Sequence, residues 1–143
     1  MDKKLKFLLL FLVVVVVDQA IKLAFVKGFG VDGSCISLTL AYNKGVAFSM
    51  LAFLGEYLKY FQVALILGAI IYLVNKKEIF NEYYISIALI LSGGFSNIVD
   101  RFFREGVVDY VYWHCGFDFA IFNFADVIID LGVLLILLKS FKK

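Results

Sequence analysis

Residues 7–25 read FLLLFLVVVVVDQAIKLAF, and this stretch decides the fold. Residues 7–17 carry no charge, and residues 5–25 form a largely apolar segment. A segment of about 20 such residues is long enough to cross a bilayer. The valines at 13–17 favour a strand in water, but in lipid the backbone must satisfy its own hydrogen bonds. The stretch therefore predicts a membrane-spanning helix.

Three further apolar stretches follow, at about residues 58–74, 83–100 and 119–138. Four spans are too few to close a barrel, so each is predicted to be helical. The composition agrees, because 63% of the 143 residues are hydrophobic and the mean hydropathy is +0.94. A soluble domain is closer to half apolar. We predict an all-α polytopic membrane protein with four transmembrane helices, organised as a single domain over residues 1–143.

The N-terminus shares one feature with secretory signal peptides, because a basic segment (KKLK, residues 3–6) precedes the apolar run. No cleavage motif of small residues follows. Asp18, Gln19 and Lys22 follow instead. We therefore interpret this segment as an uncleaved first span.

The distribution of basic residues predicts the topology. Loops rich in lysine and arginine remain in the cytoplasm. Eight of the 14 basic residues fall on one side of the predicted spans, at Lys3, Lys4, Lys6, Lys76, Lys77, Lys139, Lys142 and Lys143. Both termini are therefore predicted to be cytoplasmic, with outer loops at about residues 26–57 and 101–118.

The first outer loop carries a strand signal. Residues 34–41 alternate polar and apolar side chains, which is typical of a half-buried strand. Asn43-Lys44-Gly45 then supplies turn residues, and residues 46–50 are placed to return as a second strand. We predict a small β-sheet within this loop.

Acidic residues interrupt the fourth predicted span at Asp126 and Asp130. A charged residue in mid-membrane costs about 2.5–3.5 kcal/mol on insertion scales, so such residues persist mainly where they face a protein interior. Asn123, Asp126 and Asp130 are spaced to share one helix face. Solvation at the helix end is the alternative explanation for Asp126, which lies about two turns from the predicted outer end.

Polar residues of two other spans are predicted at the same depth. Asn97, Asp100 and Arg101 lie at the outer end of the third span. Asp18 and Lys22 are four residues apart in the first span, with the acid on the N-terminal side, which favours an ion pair on a helix. This concentration of polar groups on the outer side indicates a functional site.

Paired carboxylates would give such a site hydrolytic chemistry. Two carboxylates a few ångströms apart do not both ionise easily, so the pair holds one shared proton. One acid can activate water while the other protonates the leaving amine, as in aspartic proteases, without a metal, cofactor or nucleophilic serine. Asp100 and Asp109 are both placed to partner Asp126, and spacing alone does not choose between them.

Two cysteines, Cys35 and Cys115, fall in the two outer loops. Neither lies in a CxxC or Cys/His spacing, so neither a zinc site nor a redox motif is predicted. The sequence leaves two alternatives open: the two cysteines form a disulfide, or both remain free thiols.

Four sequence blocks together resemble one family, the bacterial lipoprotein signal peptidases, also called signal peptidase II. In the family's order the blocks are Asp18-Gln19 with Lys22, NKGVAFS at residues 43–49, NIVDR at 97–101 continuing to GVVD at 106–109, and FNFAD at 122–126. Each block alone is weak, but all four at these spacings on a four-span chain are specific. The resemblance covers essentially the whole chain.

The resemblance implies a membrane aspartyl endopeptidase of the bacterial cytoplasmic (inner) membrane, with its active site toward the outer face. It implies removal of signal peptides from prolipoproteins, with cleavage just before a cysteine that carries diacylglycerol. The implied partners are this substrate and membrane lipid, with no cofactor, metal or nucleic acid. The chain is expected to be a monomer.

The family's catalytic dyad maps onto Asp109 and Asp126, with Asp100 in a supporting position. Asn43 and Arg101 are expected to grip the substrate backbone, and the asparagines at 97 and 123 to orient the dyad. The acid and lysine at 18 and 22 are expected to brace helix ends. The full set of supporting residues in the matched blocks is Asp18, Lys22, Asn43, Gly45, Asn97, Asp100, Arg101, Asn123 and Ala125.

Some positions depart from the family pattern. Ser92 and Ser96 stand where the family has glycines, and residues 109–111 read DYV where Asp-Phe-Ile is usual. Asp130 has no counterpart in the pattern. Two roles are open for it: it pairs with Lys22 or Arg101, or it tunes the dyad.

Two other functions are compatible with intramembrane acids. A small transporter or proton-linked channel would use them as a relay, although the chain shows no repeat of the kind transporters often have. A non-catalytic membrane adaptor would tolerate asparagine at both acids.

Overall fold

The computed structural model describes residues 2–45 and 51–141, except for the side chain of Ala52. Its elements in chain order are α1 (Lys3–Val26), β1 (Ile36–Asn43), a short 3-10 helix (Ala52–Leu54), α2 (Tyr57–Asn75), α3 (Lys77–Phe103), β2 (Val107–Trp113) and α4 (Phe124–Ser140). The strand predicted at residues 46–50, the second part of the block at 43–49 and the lysines at 142 and 143 lie outside the described residues.

Three of the described helices, α1, α2 and α3, are long and apolar enough to cross a membrane. They turn large apolar side chains outward, with Val16 66% exposed and Ile71 63% exposed. An apolar exterior of this extent is stable with lipid as its solvent. The predicted helices are confirmed, α1, α2 and α3 are candidate membrane spans, and α4 is a helix of 17 residues.

α3 is the central helix and packs against α1, α2 and α4. Two glycines allow α3 and α4 to approach closely. A Cβ at Gly93 would lie 2.7 Å from the carbonyl oxygen of Ala125, and one at Gly132 would lie 2.9 Å from that of Ser86. Small residues at helix contacts are the usual device for close packing in membranes.

One predicted helix start falls at a kink, and one is wrong. α3 runs from Lys77, and its helical geometry breaks at Tyr83, where the third span was predicted to begin. α4 begins at Phe124 instead of residue 119, because the preceding Phe122 forms an antiparallel bridge with Val111. A short apolar run does not distinguish a helix from an extended segment, so hydropathy alone placed residues 119–123 in the span.

The small sheet is present, but its predicted location within the first loop alone is wrong. β1 pairs antiparallel with β2, which lies in the second of the two loops predicted to be outside, from Ile36 opposite Trp113 to Asn43 opposite Val107. The sequence of β2, VVDYVYW, is rich in β-branched and aromatic residues, which is the strand signal that the prediction missed.

The sheet is anchored to the helices and closed at one end. Tyr110 of β2 stacks on Phe25 of α1, with ring centroids 4.2 Å apart, and Val108 is fully buried beside them. Cys35 and Cys115, just outside the two strands, form a disulfide, which resolves the alternative left open by the sequence. The anchored sheet holds β2 at the end of the helix bundle where α4 begins.

Candidate active site

Asp109 lies in β2, opposite Ala41 of β1, and only 2% of it is exposed. Its Oδ1 accepts a hydrogen bond from Nδ2 of Asn123 at 2.7 Å, and its Oδ2 accepts one from Nδ2 of Asn43 at 3.1 Å. Neutral amides therefore hold both oxygens of this carboxylate.

Asp126 lies in the first turn of α4 and forms a capping box with Asn123. The backbone N–H of Asp126 donates to Oδ1 of Asn123 at 2.9 Å, and Oδ2 of Asp126 accepts from the backbone N–H of Asn123 at 3.1 Å. Its other oxygen, Oδ1, accepts from Nδ2 of Asn97 at 2.9 Å. The cap fixes the carboxylate at the start of the helix because both reciprocal bonds are made.

Asn123 joins the two carboxylates. Its side-chain amide donates to Asp109 while its backbone N–H donates to Asp126, and the residue is fully buried. Nδ2 of Asn123 also donates to Oδ1 of Asn97 at 3.2 Å. The structure therefore brings together Asp109 and Asp126, which sequence spacing alone could not pair.

The first three backbone N–H groups of α4 all have side-chain partners. The N–H of Phe124 donates to the hydroxyl of Tyr110, that of Ala125 to Oδ1 of Asp18, and that of Asp126 to Asn123. These N–H groups have no partner within the helix, so external acceptors stabilise its start. β2 and α1 thus position the turn that carries Asp126.

Lys22 is the centre of a buried ionic cluster. Its Nζ lies 2.7 Å from Oδ2 of Asp18, 2.7 Å from Oδ2 of Asp100 and 2.7 Å from Oδ1 of Asn97. These three acceptors match the three donors of an ammonium group. The cluster holds Oδ1 of Asn97 toward the lysine, and the amide nitrogen of Asn97 therefore faces Asp126. The predicted pair between residues 18 and 22 is present.

Asp100 is fully engaged within the cluster. Its Oδ1 accepts from Gln19 and pairs with Arg104, while its Oδ2 pairs with Lys22 and accepts from the N–H of Val108 at 3.1 Å. Each of its oxygens therefore has two partners, and two of the four partners, Lys22 and Arg104, are cations. Asp100 ties α3 to β2.

Arg101 and Asn43 form hydrogen bonds with other groups of the protein. The guanidinium of Arg101 donates to the carbonyl oxygens of Gly45 and Asn43, and Oδ1 of Asn43 accepts from the N–H of Gly45 at 2.9 Å. These bonds hold the end of β1 against α3. A direct grip of either side chain on substrate stays a prediction.

A cavity of about 360 Å³ lies in front of the two carboxylates. Its polar wall includes Asp109, Asp126 and Asn97, and its apolar wall is formed by residues 119–122 and Ile129. Asp130 also lines it, and this side chain makes no hydrogen bond or ion pair with the described residues. The predicted pairing of Asp130 with Lys22 or Arg101 is absent from this part of the chain.

The pKa of Asp109 is raised from its ordinary 3.8 to about 6, first by burial and then by the charge of Asp126. The hydrogen bonds from Asn43 and Asn123 and the charge of Lys22 act in the opposite direction on this pKa. Burial is the larger effect, so the carboxyl of Asp109 takes up a proton near neutral pH. A raised pKa beside a second carboxylate is characteristic of a group that exchanges protons in a reaction.

Sequence reasoning assigned no role to four residues that support the site: Gln19, Ser96, Arg104 and Tyr110. Nε2 of Gln19 donates to both Ser96 and Asp100, and Oγ of Ser96 donates to Oδ2 of Asp18 at 2.6 Å. Ser96 thus bonds the ionic cluster. The spacing of Arg104 four residues after Asp100 was the available signal for their pairing.

Comparisons with known proteins point to one family. The family model described as signal peptidase (SPase) II matches residues 10–142. A lipoprotein signal peptidase of Wolinella succinogenes is 52% identical over 94% of this chain and 92% of its own length. One of Helicobacter pylori is 52% identical over 96% of this chain and 87% of its own length. One of Sulfurimonas denitrificans is 56% identical over 89% and 82%.

Two solved structures have a similar fold. Both are described as bacterial membrane enzymes determined by the in meso method. The first has a TM-score of 0.79 at 27% identity and covers 96% of this chain and 88% of its own. The second has a TM-score of 0.77 at 28% identity and covers 96% and 94%.

Proposed function

Because the chain belongs to the signal peptidase II family, we propose that it is an aspartic endopeptidase whose catalytic dyad is Asp109 and Asp126. The resemblance drawn from the four sequence blocks is confirmed, and the chain is a bacterial membrane protease that removes signal peptides from prolipoproteins. We further propose that the substrate carries diacylglycerol on a cysteine and is cut just before that residue.

The observation that carries the assignment of the dyad is the double contact of Asn123 with Asp109 and Asp126 at the wall of the cavity. Asp109 is held by two side-chain amides and Asp126 by one side-chain amide and one backbone N–H, and neither forms a direct ion pair with a described residue. Asp100, which the spacing left as the alternative partner of Asp126, is paired with two cations and has a structural role. This difference supports Asp109 as the partner of Asp126.

The proposed mechanism places a water between the two carboxylates. One carboxylate takes a proton from the water while the water oxygen attacks the scissile carbonyl carbon. The other acid donates a hydrogen bond to the carbonyl oxygen. On collapse, the C–N bond breaks and the leaving amine takes a proton from the dyad. The position of the proton before the reaction is a property of the coupled pair.

The apolar wall of the cavity supports the proposed lipid-modified substrate. Residues 119–122 and Ile129 line the same cavity as the dyad. We propose that the substrate enters sideways from the bilayer and that its acyl chains stay among the helices. The signal peptide then presents the scissile bond at the membrane boundary.

We propose that α4 is a fourth span, that both termini are cytoplasmic and that the site faces the outer side of the inner membrane. The described basic residues of the predicted cytoplasmic side lie at one end of the bundle, since Lys3 donates to the carbonyl of Asn81 and Lys139 to that of Glu82. The dyad lies at the other end. Retention of basic segments in the cytoplasm supports this orientation.

The test is cleavage of a diacylglyceryl-modified prolipoprotein and of its unlipidated form by the purified protein in lipid nanodiscs. We expect cleavage of the lipidated form only. Asp126→Asn should slow it by at least about 10²-fold, because general acid–base catalysis is lost. Asp118→Asn is the control, since Asp118 is exposed and lies outside the lining of the cavity, and it should retain the wild-type rate within a few-fold. Wild-type cleavage by the folded Asp126→Asn variant would refute the dyad.

A further inference from the structure

A second and larger cavity lies at the opposite end of the bundle from the dyad. It is an apolar groove of about 660 Å³ between α1 and α2, with α3 as its floor. Its walls include Phe7, Phe11, Ile70, Phe80, Leu91 and Phe95. We call it the basal groove. Its volume lies within the range of about 300–1,000 Å³ that is usual for sites of small ligands.

The protein's own helices do not fill the basal groove. α2 packs on α3 but buries only Leu58 fully, at the other end of the helix. Leu8 and Ile70, which line the groove, are 49% and 42% exposed. The groove therefore opens sideways, toward the space that lipid occupies around the helices.

Two cations stand at the polar end of the basal groove. Lys4 of α1 and Lys77 of α3 line it, and neither side chain makes a hydrogen bond or ion pair with the described residues. The helix ends next to the groove carry four more lysines, at positions 3, 6, 76 and 139, and three acids, at positions 2, 78 and 82. The apolar groove thus ends at a region of net positive charge.

We propose that the basal groove binds an anionic phospholipid, with an acyl chain along the aromatic and aliphatic walls and the phosphate at Lys4 and Lys77. Basic pockets between membrane helices bind acidic headgroups in this way. With the topology proposed above, this lipid belongs to the cytoplasmic leaflet. The site is separate from the dyad and does not depend on the assignment of the catalytic residues.

Charge argues against two other occupants. The leading segment of a signal peptide is basic, so it is repelled by Lys4 and Lys77. A second copy of this chain would bring the same lysines together across the contact. An acyl chain is also much thinner than a helix, which is about 10 Å wide with its side chains.

The test is native mass spectrometry of the full chain with added dioleoyl phosphatidylglycerol or dioleoyl phosphatidylcholine. The wild type should retain the anionic lipid on the order of tenfold more than the zwitterionic lipid. Lys4→Gln with Lys77→Gln should abolish that preference. Lys6→Gln with Lys76→Gln is the matched control, because it removes the same charge from the same two helix ends outside the groove, and it should preserve the preference.

A second pair of variants tests the apolar part of the site. Ile70→Trp should fill the groove and lower retention of phosphatidylglycerol, whereas Ile71→Trp, on the neighbouring outward face, should not. Thermal unfolding checks that all variants fold. Equal retention of both lipids by the wild type, or an equal loss of preference in the two lysine pairs, would overturn the proposal. So would a photo-crosslinker at Leu8 that captures a second copy or the substrate's apolar segment instead of lipid.

Discussion

Two carboxylate clusters lie side by side at the end of the helix bundle where α4 begins, and they differ in their partners. Asp18 and Asp100 are held by Lys22 and Arg104, so two negative charges meet two positive charges. Asp109 and Asp126 are held by asparagine amides and a backbone N–H. A cation beside a buried carboxylate compensates its charge directly, whereas neutral amides bond the oxygens but leave the negative charge without a counterion. This difference in partners distinguishes a structural cluster, Asp18 and Asp100, from the proposed reactive cluster, Asp109 and Asp126.

Asn97 is the residue through which the two clusters meet. Its Oδ1 accepts from Lys22 and Asn123, while its Nδ2 donates to Asp126. The ionic cluster thereby sets the orientation of an amide in the reactive one. Changes in the ionic cluster should act first on stability, and changes in the reactive cluster first on rate.

The largest expected effect on stability comes from Lys22→Met. It leaves Asp18 and Asp100 buried with one cation fewer, and breaking a buried ionic cluster costs about 3–5 kcal/mol. The free energy of unfolding in mixed micelles measures the loss. Lys27→Met, at the exposed end of α1, is the control and should change it little. An unchanged stability for Lys22→Met would show that the ionic cluster is not structural.

Asn123→Ala should reduce both stability and rate, because Asn123 caps α4 and bonds Asp109. Loss of the cap alone costs about 0.5–2 kcal/mol. Asn123→Ser keeps a capping oxygen but lacks the amide that donates to Asp109, so it should recover stability without recovering kcat. Recovery of kcat by the serine variant would mean that the amide does not position the dyad.

The pH dependence of stability should report Asp109. Its pKa is raised from 3.8 to about 6 in the folded protein, so the folded state holds this proton more tightly than the unfolded chain. Protonated Asp109 therefore contributes to the stability of the folded state below about pH 4, and this contribution is lost as the pH rises through about 6. The unfolding temperature of the wild type should fall across this window relative to that of Asp109→Asn. Parallel curves for the two proteins would contradict the raised pKa.

The smallest effect is expected for Tyr110→Phe. The hydroxyl of Tyr110 accepts the N–H of Phe124, and its loss should cost about 0.5–1.5 kcal/mol with little change in kcat. Burial raises the pKa of this hydroxyl to about 12, so it stays neutral across the working range. Tyr112→Phe, which alters a half-buried tyrosine whose hydroxyl bonds Asp118, is the matched control. A large fall in kcat for Tyr110→Phe alone would assign the hydroxyl a part in the reaction.

Hydropathy predicted the helices well, because a membrane span is specified by length and apolarity alone. α1 and α2 end within about two residues of the predicted limits, which is the usual uncertainty of helix ends. The start of α4 was not predictable in this way. It depends on the bridge between Phe122 and Val111, a contact between segments that are distant in sequence.

The partners of the polar residues were predictable only where they share a helix. The spacing of Asp18 and Lys22 indicated their pair, and that pair is present. The contact of Lys22 with Asp100, and the sharing of Asn123 by the two catalytic candidates, depend on how α1, α3, β2 and α4 pack. The family resemblance supplied the choice of Asp109 over Asp100 that spacing left open.

The most direct measurement compares cleavage of a diacylglyceryl-modified prolipoprotein by Asp109→Asn and Asp100→Asn, each at a temperature where it is folded. If a dyad at 109 and 126 performs the hydrolysis, Asp109→Asn is slowed by at least about 10²-fold without loss of stability. Asp100→Asn then unfolds more easily but still cleaves. A folded Asp100→Asn that is inactive, beside an Asp109→Asn that cleaves at the wild-type rate, would contradict the account.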